Sequence, residues 1–114
     1  MEHSLKLIAE EYKELMQWKE YLPAVVKAIK EVLPNSRVYL VGSIARGDYD
    51  ITSDVDVLVV IENEPSFEER VKIKTKIWEK MDELGVPWTL PVEVHLVGPE
   101  RARAYFKERV VRLS

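Results

Sequence analysis

Apolar residues recur at helical spacing in two stretches at the start of the chain. The first stretch predicts an amphipathic helix over residues 4–20, and the second predicts a helix over 25–33. Pro23 stands between them and is expected to end or kink the first helix, because proline cannot donate the backbone hydrogen bond that a helix interior requires. The first helix also carries three aromatic residues, Tyr12, Trp18 and Tyr21.

A third helical stripe begins after a turn at 62–65. Ser66, followed three residues later by Glu69, is a capping-box pattern that marks a helix start. The pattern predicts a helix over 66–84 that ends before Gly85. Its predicted buried face consists of Phe67, Val71, Ile77, Trp78, Met81 and Leu84.

Three other apolar segments have the pattern of strands. Residues 37–41 predict a strand that ends at Gly42, and a short helical turn with a loop is expected over 43–53. Residues 54–61 are apolar on both faces after Asp56, which is typical of a central strand. Residues 91–97 alternate, with valine and leucine on one face and Glu93 and His95 on the other.

The order of these elements indicates the topology. The short connection between the first two strands favours an antiparallel pair, whereas the helix 66–84 is a crossover long enough to make the third strand parallel to the second. We therefore predict a small α/β (α+β) fold with a mixed three-stranded sheet and helices packed on it. The starts of the second and third strands then lie side by side.

The composition excludes several classes of function. The 114 residues predict a single domain over 1–114, with 46% hydrophobic residues, 32% charged residues and a net charge of −3. The chain has no cysteine, which excludes disulfides, thiolate catalysis and zinc–cysteine sites. Without a membrane span or a signal peptide, we expect a cytoplasmic protein with no membrane partner. The charge balance does not predict direct binding of nucleic acid.

Asp54 and Asp56 stand at the start of the predicted central strand. Strand side chains alternate between faces, so both carboxylates are expected on the same side, about 6–7 Å apart along the strand. Two carboxylates held side by side repel each other, and burying them unpaired is costly. A divalent cation resolves both problems. Hard oxygen ligands suit Mg²⁺, which usually takes one or two carboxylates together with substrate phosphates.

Two further parts of the pattern suit the same chemistry. Gly42 and Ser43, separated from Asp54 by ten residues, supply a close-approach backbone and a hydroxyl for a phosphate. Glu93, near the start of the third strand, is a candidate third carboxylate. With two metal ions present it could ligate one and accept a proton from an attacking hydroxyl. The alternative is that Glu93 is an exposed residue of an edge strand.

Taken together, these motifs resemble the nucleotidyltransferase superfamily of DNA polymerase beta, and in particular its minimal branch. The family pattern is Gly-Ser, a spacer, Asp-x-Asp and a later carboxylate on another strand. Here it appears as Gly42-Ser43 followed by Ala45-Arg46-Gly47, then Asp54-Val55-Asp56, and then Glu93. The resemblance extends over about residues 37–97 with the flanking helices, and it implies a polymerase beta palm-like fold.

The resemblance implies a role for each matching residue. Gly42 and Ser43 would hold the terminal phosphates of ATP or another nucleoside triphosphate, and Arg46 would add a phosphate contact. Asp54, Asp56 and Glu93 would bind one or two Mg²⁺ ions, with Glu93 acting as base. The reaction would transfer a nucleotidyl group, AMP in the case of ATP, and release pyrophosphate. Arg46 could equally be an ion-pair partner of Asp48 or Asp50.

Minimal nucleotidyltransferases also resemble the antitoxins of toxin–antitoxin pairs, which transfer AMP to a HEPN-domain ribonuclease. The 114 residues leave no room for the acceptor-binding domain of larger members, so the resemblance implies a HEPN-domain partner, with a homo-oligomer also possible. The aromatic residues of the first helix are candidates for its contact surface, although Trp18 and Tyr21 could instead cover the core. Two alternatives remain open: a catalytically weak module that neutralises its partner sterically, and transfer to a small molecule or an RNA end.

Overall fold

The computed structural model describes residues 17–50 and 52–114 of the chain. None of the helices in these ranges is both long enough and apolar enough to cross a lipid bilayer. Residues 4–16 of the predicted helix over 4–20 lie outside the described residues. The helices are α1 (Trp18–Val32), α2 (Gly42–Arg46), α3 (Phe67–Glu83) and α4 (Pro99–Tyr105), and the strands are β1 (Arg37–Val41), β2 (Val55–Val60), β3 (Val92–Val97) and β4 (Val111–Arg112).

Helix α1 continues through Pro23, where the sequence pattern predicts a break or kink. Proline in a helix removes one hydrogen bond and crowds the carbonyl four residues earlier. Here Pro23 and Lys19 are both exposed, so water can hydrate the carbonyl that has lost its partner. The prediction that a helix ends at Pro23 is therefore wrong, because one helix runs from Trp18 to Val32. Trp18 belongs to α1 and is 8% exposed, so it is a core residue and not a contact surface.

The four strands form one mixed sheet in the order β3-β2-β1-β4. Strand β2 pairs antiparallel with β1 and parallel with β3, as the loop and crossover lengths predict. The sheet has one strand more than expected, because β4 pairs antiparallel with β1. The backbone of Val38 bonds to Leu113 and Ser114, so the tail satisfies backbone groups that would otherwise lack partners at the edge of β1.

The two faces of the sheet are covered unequally. Helices α1 and α3 pack on one face, where Val57, Val59 and Val94 belong to the larger buried cluster. The other face carries a smaller cluster that includes Leu58 and Ala102 of the short helix α4. Because strand residues alternate, Asp56, Glu93 and His95 belong to this second, less covered face. The fold therefore leaves space in front of the predicted carboxylates.

Helix α3 begins with the predicted capping box. The Glu69 backbone N–H donates to Ser66 Oγ at 3.2 Å, and the Ser66 backbone N–H donates to Glu69 Oε1 at 3.1 Å. The hydrogen bond from the Ser66 backbone lowers the pKa of the Glu69 carboxyl group. The side chains of Ser66 and Glu69 thus each accept a hydrogen bond from the backbone N–H of the other residue.

The predicted buried face of α3 is only partly correct. Ile77 and Met81 are buried, but Phe67, Val71 and Trp78 are exposed. At 100° per residue, these three exposed side chains lie within about 40° of one another around the helix axis, on the flank of the stripe that faces the core. Helix α3 packs on α1 and on β3, and the exposure of these three side chains shows that their flank is not covered by the described residues.

Candidate active site

Three side chains from two neighbouring strands converge on the open face of the sheet. Asp56 of β2 is the register partner of Glu93 of β3, and His95 follows two residues later on the same face. One ligand atom from each lies within 4.8 Å of the others. β3 is an edge strand and Glu93 is exposed, as the alternative interpretation of Glu93 expects. The carboxylate of Glu93 nevertheless lies beside that of Asp56.

Asp56 is held by a hydrogen-bonded chain. Nε2 of His95 lies 3.0 Å from Oδ1 of Asp56, and the hydroxyl of Tyr105 lies 3.4 Å from Nδ1 of His95. Both Asp56 and His95 are partly buried, which distinguishes this contact from an exposed surface pair. The contact joins β2, β3 and α4 in one polar network.

Gly42 provides the close approach that its position after β1 suggests. Its φ of +73° lies in the left-handed region, which favours glycine. A β-carbon at this position would overlap Oδ2 of Asp56. The pairing of Val41 with Asp56 across the β1–β2 ladder brings the two residues together. The backbone of Gly42 and the carboxylate of Asp56 therefore form one wall of the site.

A cavity of about 180 Å³ lies in front of this wall. The carboxylate of Asp56 and the imidazole of His95 line it, together with two charged residues of the segment after α4. The residues that line it are Val41, Gly42, Asp56, His95, Tyr105, Glu108 and Arg109. The cavity is small and is lined by both charged and apolar residues, as expected for a subsite that receives part of a larger ligand.

Asp54 is placed differently from Asp56. It lies one residue before β2, is exposed, and is not among the three residues whose ligand atoms come within 4.8 Å of one another.

The preceding loop is organised by Asp50, whose Oδ1 accepts from the backbone N–H of Thr52 at 2.8 Å and from its hydroxyl at 2.6 Å. These bonds lower the pKa of Asp50, the hydroxyl bond having the largest effect. Asp50 thus shapes the loop that leads to Asp54.

The two remaining predicted residues lie in α2. Ser43 is partly buried in its first turn, next to Gly42, and is not among the residues that line the cavity. The Arg46 guanidinium contacts Asp48 at 3.4 Å and Glu108 at 3.0 Å. The hydrogen bond with Asp48 has the largest effect on the pKa of Arg46 and raises it. Desolvation opposes this effect, but the charges of Asp48 and Glu108 add to it, so the pKa is raised overall. Arg46 therefore makes the ion pair with Asp48 that the alternative expects, and it also pairs with Glu108, which lines the cavity.

The fold thus brings Gly42, Asp56 and Glu93 together, while Asp54, Ser43 and Arg46 lie around them. The proposed roles of all six residues remain predictions. Sequence reasoning did not assign His95, Tyr105 or Glu108 to the site. The alternation of β3 places His95 on the face of Glu93, which is a signal for it. No local pattern marks Tyr105 or Glu108, because both reach the cavity only through the placement of α4.

The donor set fits a divalent cation. Asp56 and Glu93 offer carboxylate oxygens, the ligands that Mg²⁺ prefers, and the glycine at residue 42 keeps the space beside Oδ2 clear of a side chain. Asp54 could add a third carboxylate from the start of the strand. Mg²⁺ is usually bound by one or two carboxylates together with substrate phosphates, and these two neighbouring strands supply such carboxylates.

The chain is similar to known proteins of one family. A family model described as "Nucleotidyltransferase domain" matches residues 22–112. A protein of Methanocaldococcus jannaschii with the name "Putative protein adenylyltransferase MJ0141" is 46% identical over 55 residues. The match covers 48% of this chain and 54% of that protein, so the chain spans about half the length of this curated relative.

Two solved structures show the same fold. A crystal structure of a "putative nucleotidyltransferase" from Sulfolobus solfataricus superposes with a TM-score of 0.61 at 21% identity, covering 90% of this chain and 84% of that one. A second crystal structure with the same description has a TM-score of 0.56 at 25% identity, covering 82% of this chain and 97% of that one. Together with the family match over most of the chain, these findings show that the protein belongs to the nucleotidyltransferase domain family.

Proposed function

We propose that this protein catalyses the Mg²⁺-dependent transfer of a nucleotidyl group, AMP from ATP, to a partner protein. The observation that carries the proposal is the meeting of Asp56 and Glu93 at the Gly42 end of the open sheet face. Paired carboxylates beside a glycine turn suit a nucleoside triphosphate and its metal, and the family match supplies the class of reaction.

In this proposal the acidic residues hold the metal and the glycine turn holds the substrate. Asp54, Asp56 and Glu93 would ligate one or two Mg²⁺ ions. When bound, Mg²⁺ supplies positive charge against the phosphate oxygens. The Gly42 backbone and the Ser43 hydroxyl would hold the terminal phosphates. Arg46 would add a contact by exchanging its solvent-exposed carboxylate partners for a phosphate oxygen, since exposed ion pairs are weak.

The bond changes are those of an in-line displacement. The acceptor hydroxyl oxygen bonds to the α-phosphorus of ATP, and the bond from that phosphorus to the bridging oxygen of pyrophosphate breaks. Glu93 accepts the proton of the hydroxyl, and pyrophosphate leaves with the bonding electron pair. The contribution of the protein is positioning and charge neutralisation at this centre.

A protein acceptor is the choice that the observations favour. The relative from Methanocaldococcus jannaschii is named a protein adenylyltransferase, and the matched segments are 46% identical. The resemblance to minimal nucleotidyltransferases points to a HEPN-domain protein as the partner. Phe67, Trp78 and Trp88 are large apolar side chains exposed on the described surface, and such side chains are favoured at protein interfaces.

Transfer can be tested with α-labelled ATP, Mg²⁺ and a HEPN-domain protein as the acceptor. We expect label on the acceptor with the natural chain and none with the Asp54→Ala/Asp56→Ala double variant. Asp82→Ala, which removes an exposed carboxylate of α3, is the matched control and should label as the natural chain does. Equal labelling by the double variant would refute the metal site.

The same double variant separates transfer from steric neutralisation. If the HEPN-domain protein is silenced by covalent modification, the variant should bind it but leave its ribonuclease activity intact. Silencing that persists in the variant without label would support the steric module instead. Label that appears on added RNA or on a small alcohol, but not on protein, would support a different acceptor class. Co-purification and sedimentation would report the partner and any homo-oligomer.

A further inference from the structure

His95 and Tyr105 form a hydrogen-bonded chain that ends on Asp56. The Tyr105 hydroxyl lies 3.4 Å from Nδ1 of His95, and Nε2 of His95 lies 3.0 Å from Oδ1 of Asp56. The side chain of His95 is 25% exposed and that of Asp56 is 22% exposed, so neither group is free to move as a surface side chain is. The two rings also pack at a centroid distance of 5.7 Å.

The direction of each hydrogen bond follows from the chemistry of the groups. An ionised carboxylate only accepts, so Nε2 carries the proton that is donated to Oδ1 of Asp56. In a neutral imidazole the other nitrogen, Nδ1, is then an acceptor, and the hydroxyl of Tyr105 is the donor placed to reach it. Tyr105 therefore favours the tautomer of His95 that holds Asp56.

The two oxygens of Asp56 have different surroundings. Oδ1 is occupied by His95, whereas Oδ2 lies on the Gly42 side of the cavity, in the space that a β-carbon would fill. Ligating carboxylates are commonly held by hydrogen bonds from groups that do not touch the metal, and losing such a group typically weakens metal binding about 10–100-fold. The arrangement around Asp56 has this form.

We propose that His95, oriented by Tyr105, is a positioning residue that presents Oδ2 of Asp56 to the metal. The inference rests on the proposed function, because it takes Asp56 to be a metal ligand. It extends that function by assigning a task to two residues outside the glycine turn and the three carboxylates. The competing assignment makes the imidazole itself a ligand, which requires Nε2 to lose the proton that it shares with Oδ1. A nitrogen ligand would also shift the preference of the site from Mg²⁺ toward softer divalent metals.

Binding of Mn²⁺ to the isolated protein, measured by the loss of the free-ion electron paramagnetic resonance signal, tests the inference without any assay of activity. The variants are His95→Ala, His95→Gln, His95→Asn and Tyr105→Phe. The amide nitrogen of Gln is as many bonds from Cβ as Nε2 of His, whereas that of Asn corresponds to Nδ1 and falls short of Asp56. Gln therefore tests the hydrogen bond, and Asn is its matched control.

We expect His95→Ala and His95→Asn to bind Mn²⁺ about 10–100-fold more weakly than the natural chain. His95→Gln should recover to within about threefold, because it restores a donor to Oδ1. Tyr105→Phe should lose about two- to tenfold, the equivalent of one neutral hydrogen bond. Thermal unfolding should show that the metal-free Gln and Asn variants are both folded at the temperature of the titration, so that their difference in Mn²⁺ affinity reports positioning.

Each other outcome overturns the inference. Unchanged Mn²⁺ affinity in His95→Ala would show that Asp56 needs no support. A Gln variant as weak as the Ala variant would assign the imidazole as a direct ligand. If Asp56→Asn binds Mn²⁺ as the natural chain does, or the natural chain binds none, the metal site fails and the inference falls with it. If Asp56→Asn loses Mn²⁺ while His95→Ala does not, only the positioning role fails.

Discussion

Gly42 lies so close to Asp56 that a β-carbon at residue 42 would overlap Oδ2 of the carboxylate. The two residues are brought together by the β1–β2 ladder, in which Val41 is the partner of Asp56. The glycine has a second reason to be there, since its φ of +73° is unfavourable for other residues. Gly42 therefore meets a conformational requirement and a spatial requirement at once.

These two requirements can be separated with a second glycine. Gly47 has a φ of +85°, but a β-carbon there would meet nothing within 4 Å. We expect Gly47→Ala to cost about 1–2 kcal/mol of unfolding free energy from backbone strain alone. Gly42→Ala should cost more and should also weaken Mn²⁺ binding, because the new methyl group displaces Asp56. Urea unfolding and metal titration of the two variants provide the measurement, and equal effects on both would contradict the close contact.

The exposed flank of α3 gives a prediction about stability. Phe67 is 77% exposed, so Phe67→Gln should change the unfolding free energy by no more than about 0.5 kcal/mol. Ile77 of the same helix is fully buried, and Ile77→Ala should cost about 2–5 kcal/mol because it leaves a cavity in the core. Denaturant unfolding of both variants checks this. A large loss with Phe67→Gln would show that the residue is buried after all.

The capping box at the start of α3 should contribute measurably. Ser66→Ala removes the acceptor of the Glu69 backbone N–H, and we expect a loss of about 1 kcal/mol. Thr75→Ala is the matched control, since its hydroxyl only bonds back to the carbonyl of Val71 within the helix. Because alanine has the higher helix propensity, that variant should be neutral or slightly stabilised. Chemical denaturation distinguishes the two, and similar losses would argue against the cap.

Asp50 should make the stability of the loop before β2 depend on pH. Its pKa in the folded protein is lowered from the usual 3.8, chiefly by the hydroxyl of Thr52. The stabilisation is therefore fully present above pH 3.8 and is lost as the pH falls through the lower folded value. Asp50→Asn keeps an acceptor but has no charge. We expect the natural chain to melt above the variant near neutral pH, and the difference to shrink on acidification below the usual value. A difference that stays constant in thermal melts across that range would contradict the assignment.

Much of the fold could be predicted from local patterns. The capping box, the antiparallel and parallel pairings of β2 and the apolar character of that strand follow from short-range rules and connection lengths. The predictions of a helix end at Pro23, of the full buried face of α3 and of a three-stranded sheet did not succeed in the same way. Each of these outcomes depends on distant parts of the chain. They decide whether water reaches the carbonyl of Lys19, whether Phe67 packs against a neighbour and whether Val111 pairs with Leu40.

By itself the sequence determined which chemical groups this protein can use: a Gly-Ser turn, an Asp-x-Asp strand start and a carboxylate on the following strand. These groups are far apart in the sequence. The alternation of strand side chains and the length of the crossover helix together predict that they lie close to one another in the fold. Only the tertiary structure decided that Asp56 stands against Gly42 and Glu93 while Asp54 lies at the exposed edge, and that His95 and Tyr105 reach the carboxylate. The physical reason is that these contacts join elements far apart in the chain. Their geometry is set by how the sheet and α4 pack, which no local pattern contains.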